Sequence, residues 1–223
     1  MSYENCFDEI FEGEGKYDIP IILPVTEIGV TGWELFENAR HAKPQQNVPA
    51  NMDYRQELGV HFFQDDHKFE IVWSQPRKHL GKLRMYGCVL SPDFSMFVDF
   101  PMAVQIMQAY KRHWVARFWQ EQGLTVIPTI CWSTPESYEW CFDGEPHNSI
   151  VAVADIGCTR NPEARELFRK GYDEMISRLS PSKVLFFTYG RGEKDFSGNV
   201  EYINIKQMKN FLGGEQWVAE EEG

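Results

Sequence analysis

Short apolar, β-branched or aromatic runs alternate along the chain with stretches patterned for helix. The runs fall at residues 19–25, 59–63, 87–90, 124–131, 149–154 and 183–188, with a last short one at 200–205. Apolar positions within them are nearly continuous rather than alternating, as in strands covered on both faces. Ala103, Val104, Met107, Tyr110, Trp114, Val115 and Phe118 recur at helical spacing and predict a helix that ends before Gly123, with Asp99 as its cap and Pro101 in its first turn. Asn161-Pro162-Glu163 opens a second helix, carried by Leu167, Tyr172, Met175, Ile176 and Leu179 until Ser180-Pro181 stops it. Shorter helices are expected after Thr134-Pro135-Glu136 and after Asp65-Asp66.

This rhythm predicts an α/β fold with mainly parallel strands. No G-x-G-x-x-G fingerprint marks a dinucleotide turn, and every run ends in polar residues. An incomplete or degenerate (β/α) barrel is therefore expected, with an open doubly wound sheet as the alternative. The expected organisation is an acidic extension over 1–16, a single α/β domain over 17–212 and a flexible acidic tail over 213–223. Residues 41–56 and 191–199 read as irregular loops.

Composition narrows the class. The 223 residues carry 22 Lys plus Arg against 33 Asp plus Glu, a formal charge of −11 that excludes a broad surface for coating nucleic acid but not a local basic pocket. No run approaches a membrane span and the first residues are acidic where a signal peptide would be basic, so a soluble, cytoplasmic protein is expected. Cys6, Cys88, Cys131, Cys141 and Cys158 are odd in number and widely spaced, which indicates reduced thiols rather than a disulfide framework or a zinc site.

Both candidate architectures bind ligands at the carboxyl ends of the strands. There the chain offers Glu27, Asp65, Asp93 and Asp155 as carboxylates, Ser91 and Ser95 as hydroxyls, Trp132 and Tyr189 as flat faces, and Arg160 and Arg191 as guanidinium groups. Carboxylates brought together raise one another's pKa, so Asp93 and Asp155 are the candidate catalytic pair. The arginines would clamp phosphate, and an indole or phenol would stack on a base or sugar. No cofactor is expected; Mg²⁺ would suit the carboxylates, but no ligand spacing supports it. Asp66 and Asp99 read first as helix caps, Asp93 equally as an Asx-turn, and Asp155 equally as a structural partner of Arg160. His61 reads as a core histidine, and Cys158 as a buried structural thiol ahead of a nucleophile.

The stretches Gly59-Val-His-Phe-Phe, Gly87-Cys-Val-Leu-Ser-Pro-Asp-Phe-Ser, the aromatic helix from Trp114 to Trp119, Val126-Ile-Pro-Thr, Cys141-Phe-Asp-Gly and Val151-Ala-Val carry a resemblance. They look like domain of unknown function 4417, a family of phage and mobile-element proteins, which implies that origin and supplies no reaction. A weaker, fold-level similarity is to tRNA-guanine transglycosylase-like barrels, with Asp93 at the position of their aspartate and Asp155 as second carboxylate; their Asp-Ser-Gly-Gly wording and zinc insertion are absent. The expected function is a strand-end pocket for a nucleotide or nucleobase, with N-glycosidic exchange or hydrolysis as its chemistry. The alternative is a non-catalytic protein that sequesters a nucleotide or binds a host defence protein.

Overall fold

The computed structural model describes residues 9–42, 54–159, 161–190 and 195–207. A small antiparallel hairpin, β1 (Gly13–Glu14) with β2 (Ile19–Pro20), precedes a series of parallel strands. These are β3 (Gly32–Leu35), β4 (Leu58–His61), β5 (Cys88–Leu90), β6 (Val126–Ile127), β7 (Ile150–Ala154), β8 (Lys183–Thr188) and β9 (Val200–Asn204). The ladders run β3-β4-β5-β6 and β7-β8-β9. Beyond β6 the chain continues onto β7 through a Thr129–Ala152 bridge and the bond from Ile130 N to Ala152 O at 2.8 Å.

The parallel strands therefore lie in chain order, with none of the reversal that defines a doubly wound sheet. The sheet curls, because Phe187 on β8 meets Trp33 of β3 at 5.1 Å and Phe63 after β4 at 4.7 Å between ring centroids. Among the described residues no ladder joins β3 to β9, so the arrangement stays open, as a degenerate barrel does.

The first expected strand is corrected. Pro20 and Pro24 remove two backbone donors from the run at 19–25, which forms only the β2 edge and then chain without regular structure. The first parallel strand is instead Gly32-Trp33-Glu34-Leu35, whose pattern is broken by Glu34. That carboxyl is buried, accepts from Asn38 Nδ2 at 2.9 Å, and is pushed upward in pKa by its burial.

Two long helices cover the sheet. α1 (Phe36–His41), α2 (Ile71–Ser74) and α3 (Leu80–Leu83) are short, whereas α4 (Met102–Glu121) and α5 (Pro162–Leu179) are long. α5 matches expectation: the Asn161 side chain accepts from Glu163 N at 2.9 Å, Pro162 holds the first turn, and Ser180 ends the helix in the left-handed region at φ 46°.

α4 ends before Gly123 as expected but differs from expectation at its start and along its buried face. Pro101, not Asp99, stands at the cap. Val104 and Met107 of the expected apolar stripe are exposed, whereas Lys111, Arg112 and His113 are buried. The hairpin segment covers this half of the helix from outside: Trp114 Nε1 donates to Glu9 O at 3.1 Å and His113 Nδ1 lies 3.0 Å from Pro20 O. No helix among the described residues is long and apolar enough to cross a membrane.

Candidate functional site

A cavity of about 550 Å³ opens at the carboxyl ends of β5, β6 and β7, against the first turns of α5. Its wall comes from the loop 93–99, from residues 130–133, from 154–158 and from the start of α5. Three strand ends thus converge as a parallel α/β sheet requires. Apolar side chains dominate the lining, with Met96, Phe97, Ile156 and Phe168 around a few polar groups.

Asp93 is the central polar group. It is partly exposed in the cavity, and its Oδ1 accepts the Cys131 thiol at 2.9 Å. Burial pushes its carboxyl up from the ordinary range; the Cys131 bond and the Arg112 charge pull it back, and Asp66 pushes it up again. Cys131 is held as a protonated thiol, first by burial and then by Asp93. The loop carrying Asp93 is fixed by Asp66, which accepts from Ser95 Oγ at 2.7 Å, from Ser95 N at 3.1 Å and from Gln108 Nε2 at 3.1 Å. Asp66 is therefore a clamp on the site loop rather than a helix cap.

Trp132 and Ser95 join Asp93 in the wall. The indole leans on Phe168 at 5.2 Å and lies over the backbone of α5 at Gly171, where a Cβ would stand 2.1 Å from Nε1. Replacing that glycine by alanine ordinarily favours a helix by about 1 kcal/mol. Here the steric term wins, so Gly171→Ala is expected to displace the indole and lower stability by about 1–3 kcal/mol. Chemical denaturation with tryptophan fluorescence reads both; equal or higher stability would sink the packing argument.

The other candidates are placed elsewhere. Asp155 is buried, accepts from Thr188 Oγ1 at 3.0 Å and has an Oδ1 with no partner among the described residues; Ala154 and Ile156 line the cavity while its own carboxyl is turned to Thr188 on β8. Burial raises its pKa as well. Ser91 is fully buried, and its hydroxyl accepts from Thr129 N at 2.7 Å, bracing β5 to β6. Asp65 is exposed and paired with Lys68 at 3.0 Å. Tyr189 is exposed under the Lys206 ammonium.

Glu27 is exposed and precedes β3, near Val25, whose carbonyl accepts from Ile150 N at the start of β7. It therefore stands at the amino ends of the strands, because the run it followed is not one of them. Arg160 and Arg191 lie outside the described residues.

Cys158 lines the cavity, and burial together with Asp155 and Asp93 raises its pKa, which keeps it a thiol. Among the described residues no group of three or more His, Cys, Asp or Glu is placed to hold a metal ion.

Sequence reasoning missed Arg112, His113 and Glu145, which lie fully buried behind this wall. The consecutive charges Lys111-Arg112-His113 carry no motif that sets them apart from an ordinary helix surface.

Comparison with known proteins adds a lineage. The chain matches the family described as Domain of unknown function (DUF4417) over residues 11–209. It is 36% identical over 181 residues to the Gene 1 protein of Mycobacterium phage L5, covering 79% of this chain and 73% of that one. It is 35% identical over 185 residues to the Gene 1 protein of Mycobacterium phage D29, covering 81% of this chain but 63% of that one. No solved structure matches the chain.

Proposed function

The chain belongs to the DUF4417 family of phage proteins, and for it we propose that the cavity at the ends of β5, β6 and β7 binds a ligand bearing a nucleobase. The observation that carries this reading is the placing of Asp93 and Trp132 in one mostly apolar wall. The indole offers a flat face, and Asp93 and Ser95 offer the few polar atoms that would orient a base edge.

Recognition without turnover is the better-supported form of the proposal. N-glycosidic displacement uses two carboxyl groups flanking the scissile bond. Asp93 faces the cavity, but the Asp155 carboxyl is engaged by Thr188 and is not part of the wall.

A panel of nucleobases, nucleosides and nucleotides, read by thermal shift and by mass spectrometry of the recovered small molecules, tests this. Intact recovery with a raised melting temperature is expected. Trp132→Ala should weaken the best ligand about tenfold to a hundredfold, the worth of one stacked base. Altered products would restore glycosidic chemistry, and a panel without any shift ends the nucleobase reading.

A further inference from the structure

The charge of the cavity wall is one-sided. Among its described residues it holds the carboxyl side chains of Asp93, Asp99 and Glu163, and no Lys, Arg or His. Asp99 and Glu163 are exposed, whereas Asp93 is only partly so. Arg112 stays behind the wall, its Nη1 at 3.7 Å from the sulfur of Met96. An anionic ligand would therefore meet like charge in this wall, and a cation would meet opposite charge.

The uncharged part of the wall points the same way. Phe97, Trp132 and Phe168 line the cavity, and the faces of such rings attract cations, the indole most strongly. Ser95 Oγ gives its own hydrogen to Asp66 Oδ1 at 2.7 Å, and the Cys131 thiol gives its hydrogen to Asp93 Oδ1 at 2.9 Å. Both side chains line the cavity with that hydrogen already spent, so they suit a ligand that donates. Ser133 is buried in the same wall, and its Oγ has no partner among the described residues. A hydroxyl left unsatisfied there points to a polar occupant. Burial pushes the Asp93 carboxyl up in pKa, a penalty that a cation in the cavity would offset.

We propose that the cavity selects a flat ligand bearing a positive charge, with Asp93 as its counter-charge and the Trp132 indole as its platform. Naming that ligand as a base rests on the nucleobase reading: it is then a base alkylated on a ring nitrogen, so that the ring is cationic at neutral pH. The preference for a cation does not itself depend on that reading. Asp99 and Glu163 add attraction through solvent, where charges act over about 8 Å at physiological ionic strength.

The test compares pairs of probes of nearly equal shape in which the first member alone is cationic at neutral pH: 1-methyladenosine with 2-methyladenosine, 3-methylcytidine with 5-methylcytidine, and, outside the nucleobases, N-methylquinolinium with 2-methylquinoline. Titration calorimetry on the full chain is expected to give the cation an advantage of about tenfold. Asp93→Asn should bring that advantage to about twofold or less and leave the affinity of the neutral member unchanged. Asp99→Asn combined with Glu163→Gln, both at exposed positions, should lower it about threefold, and this variant decides if Asp93→Asn does not fold. Nucleosides that bind without a preference for the cation overturn the proposal and leave the nucleobase reading intact. A cation preference in the quinoline pair with no nucleoside bound supports the proposal and ends the nucleobase reading. No binding in any pair ends both, and an advantage that survives these substitutions overturns the proposal by placing the cation elsewhere.

Discussion

Near pH 4 the fold is expected to have lost about 3 kcal/mol of stability through His61 alone, at 1.36 kcal/mol per pKa unit. The ring is 2% exposed on β4, between Phe63 at 5.6 Å and Phe187 at 5.7 Å, with Nδ1 accepting from Phe63 N at 3.4 Å. Burial among these aromatics lowers its pKa from 6.5 to about 3. The unfolded chain therefore takes up a proton that the folded chain refuses over that interval. Stability is complete above the unfolded value and is lost as pH falls toward the folded one.

Glu34, Asp93 and Asp155 work against this, since their raised pKa values favour the folded form as carboxyls protonate. Wild-type data alone would show only the sum. Comparison with His61→Leu, by urea unfolding at steps from neutral pH to about pH 4, isolates the histidine. The variant is expected to lack the 3 kcal/mol slope, and parallel profiles would refute the assignment.

His61 was legible because a histidine inside an apolar strand has few roles other than core. The strands β5, β7 and β8 and the helix α5 were legible for similar local reasons: continuous apolar runs, and an Asn-Pro-Glu start with a Ser-Pro stop. The carboxyl-end rule also reached Asp93, Ser95 and Trp132. It could not choose among the strands, so it gave equal standing to Asp65 and Tyr189, whose loops point elsewhere.

Glu27 was misplaced with the run that two prolines keep out of the parallel sheet. The buried charges were illegible for a tertiary reason. Arg112, His113 and Glu145 are dry only because residues 9–22 fold over α4, with Trp114 bonded to Glu9 and Ile22 N donating to Gly144 O at 2.8 Å. No local pattern in α4 records a cover supplied about a hundred residues earlier.

That cover makes Arg112 the most expensive side chain to lose. Arg112→Leu is expected to destabilise the protein by about 3–5 kcal/mol at neutral pH, the cost of leaving a buried charge uncompensated. The side chain is fully buried, and two carboxyls, Asp93 and Glu145, depend on its charge. Leucine fills part of the volume, so the loss is chiefly electrostatic. It should therefore shrink in acid, where carboxyls protonate, while a pure packing defect would persist at every pH.

A second substitution sharpens the sign. Glu145→Leu added to Arg112→Leu removes one of the orphaned carboxylates, and replacing a buried pair by apolar residues is often close to neutral. The double variant should recover stability relative to Arg112→Leu, stopping short of wild type because Asp93 still loses the nearby charge that lowers its pKa. Urea denaturation at two pH values measures all three terms. A double variant less stable than the single one would show that volume, not charge, governs this part of the core.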